Sequence, residues 1–176
     1  MSLARPQAGE FAPYAEKYIS LVPDDALSAL EQQSRQTEEL FASRPETDGD
    51  FRYAPDKWSA KEVLGHIIDT ERIFTYRALR AARLDKTPME GFEQDDYVRH
   101  GGFAQRTLKS LLEEYQSVRS ASITLFRSFD GETWLSRGIA NKHEISVRAL
   151  AFMTAGHELH HFKILRERYF PLRQHA

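Results

Sequence analysis

The chain has 176 residues, the size of one ordinary domain, and its 41% hydrophobic and 28% charged residues indicate a globular fold. It contains no cysteine, which excludes disulfides, thiolate zinc sites, thiol nucleophiles and iron–sulfur clusters. Its 24 basic residues are nearly balanced by 26 acidic ones, so the overall charge does not favour nucleic acid as a partner.

The N-terminus lacks the apolar run of a signal peptide, and no uncharged stretch approaches the ~18 residues of a membrane span. We therefore expect a cytoplasmic protein without a membrane partner. Residues 1–22 carry several aromatic side chains but no clear period, which indicates an N-terminal arm packed on the body. Residues 23–176 then form one helical domain. Its first helix is predicted from Asp24 or Asp25 to about Ser43, since acidic residues stabilise a first turn.

The second helix has the clearest predicted start. Ser59 and Glu62 form a capping box, in which each side chain bonds a backbone amide near the other residue. Trp58 and Val63 stand at the positions of a hydrophobic staple across this cap. Good helix formers follow up to about Leu84, so a long helix is expected.

The connection over residues 85–103 breaks the helical pattern with Pro88, Gly91 and the pair Gly101-Gly102. It is too long for a tight hairpin and is therefore predicted to be a crossover or a lid. Its middle, Glu90 to His100, mixes acids with aromatics. A cover over a functional pocket and a plain solvated connector both fit this composition.

Two more long helices complete the predicted fold. The third is expected from about Ala104 to Phe129, with apolar residues in the seven-residue repeat of a bundle seam. Residues 133–142 look irregular, with a turn around Gly138 or one brief strand. The fourth helix is expected from Ser146 to about Tyr169, ahead of a proline. We predict an all-α fold, a four-helix bundle with the long crossover or lid between its second and third helices.

The fourth helix carries a histidine pair on its predicted core face. His157 and His161 are one turn apart, about 40° from each other on the helical wheel. His160 falls to the other side, at the edge of the seam. Two inward imidazoles can be satisfied core residues, or they can supply two nitrogen ligands to a metal that needs a third.

Three other histidines are candidates for that third ligand. His66 is favoured because it lies near the centre of the long second helix, at the border of its apolar stripe. His100 and His143 fall in predicted loops, where exposure is the default. The sequence leaves a metal site and a set of hydrogen-bonded core histidines as alternatives.

The string from His157 to His161 also matches H-E-x-x-H, in which Glu158 would be the general base of a zinc protease. A protease is disfavoured, because only 15 residues follow His161 and no sheet is predicted to hold a peptide. Glu158 is nevertheless a candidate general base for a metal-bound water. The alternative is a surface glutamate, solvated or paired with Lys163 or Arg166.

Two motifs together resemble a known family. Residues 58–71 look like the second-helix motif of the DinB/YfiT-like superfamily, and residues 156–161 resemble its fourth-helix motif. The resemblance covers the chain from about residue 20 onward. It implies a four-helix bundle, often a homodimer, in which His66, His157 and His161 bind a divalent metal, commonly zinc or nickel. His160 is an alternative to His161 as a ligand.

The resemblance also implies a range of activities on small molecules. Some relatives are thiol transferases that use bacillithiol, mycothiol or glutathione, and others are regarded as metal-dependent hydrolases. A metal bound by three neutral imidazoles lowers the pKa of bound water toward ~7 or stabilises a thiolate. A low-molecular-weight thiol as cosubstrate is therefore one of the options that the resemblance implies. A non-catalytic metal sensor and a purely structural dimerisation module are the alternatives.

Further side chains are assigned supporting roles. Asp69 or Glu62 would accept the second N–H of a ligand imidazole, as carboxylates do around metal-binding histidines. Arg77, Arg80 and Arg83 follow one another down the second helix. They would contact an anionic cosubstrate, or they form an ordinary solvated basic face.

Overall fold

The computed structural model describes residues 3–170 and is built around four long helices. They are α2 (Ala26–Ala42), α4 (Ala60–Ala82), α6 (Leu108–Arg127) and α8 (Val147–Ile164). The predicted four-helix bundle is therefore confirmed. The shorter elements are α1 (Glu16–Ile19), α3 (Glu46–Gly49), α5 (Gln94–His100), α7 (Gly131–Leu135), β1 (Arg137–Ala140) and β2 (His143–Ser146), and a π-helical turn (Leu165–Tyr169) extends α8.

The helices begin where side-chain caps satisfy their first backbone amides. The Asp25 carboxylate accepts from the amides of Leu27 and Ser28 at the start of α2. Both bonds of the predicted capping box between Ser59 and Glu62 are present at the start of α4. These caps explain why the sequence located the two helix starts within one or two residues.

The third long helix begins later than predicted. Thr107 caps α6 by accepting from the amide of Ser110, so α6 starts at Leu108 rather than near Ala104. The preceding Phe103–Gln105 forms a separate 3-10 turn after Gly102, whose φ of +65° is left-handed. The extended backbone of Arg106 separates this turn from the helix that the sequence pattern had merged with it.

The segment between α6 and α8 contains more structure than the sequence predicted. Residues 131–135 form α7, and β1 pairs with β2 as an antiparallel hairpin, where one brief strand at most was expected. The hairpin turns at Asn141 and Lys142, whose φ values of +48° and +67° are those of a type I′ turn. Met89 bonds this hairpin through the carbonyl of Ile139 and the amide of Asn141, which fastens the 85–103 connection to the bundle.

The bundle is centred on α8, which packs against α1, α2 and α4. Every residue of α8 from Ala149 to Glu158 is buried. The segment of residues 3–22 includes α1 and lies directly on α8, with Ile19 and Val22 buried. A methyl group on Gly156 would stand 2.0 Å from the Tyr18 carbonyl oxygen, so only glycine permits this close approach.

Within residues 3–170, no helix combines the length and the apolar character needed to cross a membrane.

Candidate metal centre

Three histidines from two helices converge inside the bundle. His66, near the middle of α4, faces His157 and His161 on α8, and one ring nitrogen from each lies within 4.8 Å of the others. The Nε2 atoms of His66 and His157 are 3.0 Å apart. We call these three residues the histidine cluster. The structure thus brings together the three side chains that the sequence singled out as ligands.

Burial keeps these imidazoles neutral. Burial lowers the pKa of His66 to about 4. Burial, followed by the repulsion of neighbouring histidines, holds the pKa of His157 and of His161 well below the usual value. Neutral imidazole is the form that binds a divalent metal, and three such nitrogens are a known donor set for catalytic zinc. The residues therefore fit a metal.

His160 does not share this arrangement. Its side chain is half-buried, and its ring packs edge-on against Tyr18 at 5.6 Å between centroids. His161, one residue further, is turned toward His66 at 4.8 Å between ring centroids. The geometry favours His161 as the third nitrogen donor. His100 and His143 are exposed and take no part in the cluster, although they lie at the end of α5 and the start of β2 rather than in loops.

The two carboxylates expected to accept hydrogen bonds from the imidazoles have other partners. Glu62 accepts from the Ser59 amide in the helix cap, and its carboxylate pairs with Arg52 at 2.8 Å. Asp69 lies 3.7 Å from Arg72, and its carboxylate bonds none of the histidines. That expectation was wrong. The side chain in contact with His66 is instead Thr70, whose Oγ1 lies 3.5 Å from Nδ1 of His66, and the sequence signal was its position one turn after His66.

Glu158 is neither a general base in the cavity nor a surface residue. Its side chain is 1% exposed, and Oε1 accepts from the hydroxyls of Thr37 at 2.7 Å and Tyr115 at 2.5 Å. Its other oxygen bonds Arg119. Because Glu158 lies about 100° around α8 from His157, it points toward α2 and α6 while His157 points toward α4. Both sequence interpretations of Glu158 are corrected.

Arg119 organises a second buried polar group at the same level of the bundle. Its guanidinium bonds both carboxylate oxygens of Glu71, one oxygen of Glu158 and the carbonyl of Leu30. Burial would lower its pKa, but the two carboxylates outweigh that effect and raise it well above the usual value. We call Arg119, Glu71, Glu158, Tyr115 and Thr37 the ionic cluster. Sequence reasoning missed it, although Arg119 stands one turn after Tyr115 on the face of α6 predicted to be buried.

A cavity of about 370 Å³ opens beside the histidine cluster. His66, Thr70 and His157 form one side of it, and Tyr14, Lys17 and Tyr18 of the N-terminal segment form another. Residues 91–95 form part of the remaining lining, so the long connection contributes to this cavity rather than being a plain solvated connector. Asp95 also lines a second cavity of about 300 Å³ that reaches His161. Neither Asp95 nor Lys17 was singled out from the sequence, because both reach the site only through the tertiary fold.

The three arginines along α4 have different environments. Arg83 is exposed and Arg80 pairs with Asp85 at 2.7 Å, as expected for a solvated basic face. Arg77 is buried and lines the cavity.

The chain is thus a four-helix bundle in which three converging histidines beside a cavity could hold a metal ion. The sequence model of the DinB superfamily matches residues 29–165, and the chain belongs to that superfamily. A solved structure with the same fold is YfiT from Bacillus subtilis, described as a probable metal-dependent hydrolase with an unusual four-helix bundle topology. The two share 14% identity with a TM-score of 0.69, over 89% of this chain and 86% of that one. No curated protein matches the chain.

Proposed function

We propose that the protein is a metal-dependent enzyme acting on a small molecule, with a divalent metal held by His66, His157 and His161. The observation that supports this most strongly is the convergence of three neutral ring nitrogens within 4.8 Å beside an open cavity. A bundle that needed only a packed core would bury apolar side chains at these positions. Membership of the DinB superfamily and the likeness to YfiT agree with this function.

The chain's own residues prepare the site. Thr70 Oγ1 lies 3.5 Å from Nδ1 of His66, and in the tautomer in which Nδ1 donates to Thr70 the lone pair on Nε2 is directed at the other two rings. The metal, when bound, supplies Lewis-acid chemistry that makes a water or a thiol a better nucleophile at neutral pH. With Glu158 enclosed in the ionic cluster, Asp95 is the carboxylate we assign as proton acceptor, since it lines both cavities that flank the histidines. Tyr18 and residues 91–95 limit the access of bulk water.

Within this proposal, the metal is zinc or nickel and the nucleophile is water or a low-molecular-weight thiol. The enzyme is then a hydrolase or a thiol S-transferase, active as a homodimer. A metal sensor without turnover would use the same three ligands. A panel of ester and thiol-transfer substrates, run with the metal loaded, separates the enzyme from the sensor.

Elemental analysis of purified protein tests the metal site itself. We expect one metal per chain to survive dialysis in the wild type and to be lost in His66→Ala and in His157→Ala. His100→Ala is the matched control, because His100 is exposed and outside the cluster. Equal metal content in all four proteins, or none in the wild type, would reject the site and favour a structural module.

A further inference from the structure

Arg77 lies on the same face of α4 as the histidine cluster, but at the other end of the cavity. It follows His66 by eleven positions, which is three helical turns and about 16 Å along the helix axis. His66, Thr70, Phe74 and Arg77 all line the one cavity of about 370 Å³. A molecule that fills this cavity therefore contacts the histidines at one end and Arg77 at the other.

Arg77 differs from the other buried cations of the chain. Within residues 3–170 these are Lys61, Arg77 and Arg119, each at most 7% exposed. Lys61 pairs with Glu46 and Asp50, and Arg119 pairs with Glu71 and Glu158. Arg77 forms no ion pair with any residue in that range. Since a buried charge is costly unless it is paired, the missing anion needs an explanation.

The guanidinium of Arg77 has donors to spare. Its Nη2 donates to the carbonyl of Glu90 at 2.6 Å, and its carbon lies 6.0 Å from the centre of the Phe92 ring. Nε and Nη1 bond no atom of residues 3–170. They are not sealed in the core, because the single buried polar side-chain atom without a partner in that range is Oε1 of Gln33. These donors are therefore open to the cavity.

We propose that Arg77 binds a carboxylate of the substrate, and so forms an anion subsite at the end of the cavity opposite the histidines. A guanidinium matches a carboxylate with two parallel hydrogen bonds. Lys17 adds positive charge to the same cavity and forms no ion pair within the described part of the chain. Glu93 and Asp95 also line the cavity and are exposed, so a monocarboxylate is favoured over a phosphate dianion. This inference rests on the proposed function and gives its substrate class, a carboxylate. Binding of the carboxylate to Arg77 does not itself require the metal.

The test measures binding of benzoate, of its neutral analogue benzamide and of inorganic phosphate to the protein as purified. Ligand-observed NMR titrations are run on the wild type and on the variants Arg77→Gln, Arg77→Lys, Lys17→Gln, His157→Ala and Arg83→Gln. Removal of a charge-assisted bidentate contact weakens benzoate about tenfold or more in Arg77→Gln. Arg77→Lys falls between, because an ammonium keeps the charge but not the paired bonds. Arg83→Gln, the same change at the exposed residue directly after α4, binds as the wild type does.

Several results would overturn the subsite. Equal benzoate affinity in the wild type and in Arg77→Gln would do so. So would a loss of benzamide affinity in Arg77→Gln as large as the loss of benzoate affinity. Tighter binding of phosphate than of benzoate to the wild type would also contradict the proposal. A benzoate affinity that falls in His157→Ala but not in Arg77→Gln would place the carboxylate at the histidines instead. If circular dichroism shows that Arg77→Gln does not fold, the test uses Arg77→Lys and Lys17→Gln instead. We expect each of these variants to bind benzoate several-fold more weakly than the wild type. Unchanged benzoate affinity would contradict the proposal.

Metal content, measured on the same preparations, separates this proposal from the proposed function. Metal present together with benzoate affinity that ignores Arg77 rejects the subsite alone. Metal absent together with benzoate affinity that depends on Arg77 rejects the enzyme proposal and leaves the subsite.

Discussion

The histidine cluster lies between α4 and α8, the ionic cluster joins these two helices to α2 and α6, and His157 and Glu158 are adjacent in sequence. In the ionic cluster every charged atom has a partner, since Arg119 is matched by two carboxylates and a carbonyl. In the histidine cluster the rings face one another, and among residues 3–170 no acid accepts from them. Burial alone therefore does not mark a functional site. The difference lies in the kind of partner, because the charged atoms of the ionic cluster are matched by opposite charges, whereas His66 meets only His157 and Thr70.

This difference assigns a separate role to each cluster. A saturated group of charges joins α2, α4, α6 and α8, and it has nothing left to offer a ligand. Three neutral ring nitrogens beside a cavity meet mainly one another, and a metal ion could take the place of the contact between His66 and His157. We therefore expect changes in the ionic cluster to alter stability and changes at the histidine cluster to alter metal binding. The predictions below test that separation, beginning with the largest effect.

Replacement of Arg119 is expected to destabilise the protein most. Arg119→Met leaves Glu71 and Glu158 buried without their counter-charge, which costs about 3–5 kcal/mol of unfolding free energy. Urea denaturation measures this loss. The control is Arg127→Met on the same helix, where Arg127 is 62% exposed and pairs with Glu31, so a change below ~1 kcal/mol is expected. If Arg119→Met has the same unfolding free energy as the wild type, the ionic cluster does not stabilise the fold.

A second saturated ion pair, away from both clusters, extends the comparison to pH. Burial would raise the pKa of Glu10, but hydrogen bonds from Arg148, the Gln7 amide and Ser146 lower it to about 2. The carboxylate therefore stabilises the fold fully above its unfolded pKa of 4.5, and this stabilisation is lost as the pH falls through that value toward 2. With allowance for solvent screening, it amounts to at most about 3 kcal/mol.

Glu10→Gln measures that contribution. The variant should be less stable than the wild type at pH 7, by at most about 3 kcal/mol of unfolding free energy. In urea titrations this difference should shrink steadily between pH 5 and pH 2, because the wild type loses the contribution of the Glu10 charge. Exposed Glu16→Gln is the control, with no such trend. A difference that stays constant with pH would show that the pair does not depend on the charge of Glu10.

Glu158→Gln separates a structural role from a catalytic one. A carboxamide has a single acceptor oxygen, and its NH₂ group would face donors in the ionic cluster, so a loss of about 2 kcal/mol of unfolding free energy is expected. Metal content should stay at the wild-type value, and turnover, where a substrate is found, should change little. A fall in kcat of about 100-fold with full metal and intact folding would restore Glu158 as a general base.

Thr70→Val is expected to have the smallest and most specific effect. Valine keeps the shape of threonine but cannot accept from Nδ1 of His66, so the ring is no longer held for metal binding. Metal affinity should fall about tenfold in competition with a chelator. Thr75→Val is the control, because its hydroxyl bonds the backbone of its own helix. Equal affinities for the two variants would show that Thr70 does not orient His66.

Much of the fold could be predicted because its signals are local. The capping box at Ser59, the acidic cap at Asp25 and the apolar repeat of α6 act within one or two helical turns. The Asn141-Lys142 turn lacked such a signal, since type I′ turns favour glycine, and so the hairpin was missed. The pairing of Arg119 with Glu71 and Glu158 joins three helices and has no local signature.

The site was predicted in part for the same reason. Helical spacing put His157 and His161 on one face, but α8 is buried all round from Ala149 to Glu158, so periodicity could not tell that Glu158 faces the ionic cluster and His157 faces His66. Asp69 and Glu62 were plausible supports by position, yet each had a closer partner in space. The cavity depends on residues 14–18 and 91–95, which are far apart in the chain.

The order of helices, their caps and the spacing of the histidines are written in the sequence, because each depends on neighbours within a few residues. The direction in which each buried polar side chain points, and whether a partner meets it there, was decided by how the helices pack. That packing enclosed Glu158 with Arg119 and left the three imidazoles and Arg77 facing open space.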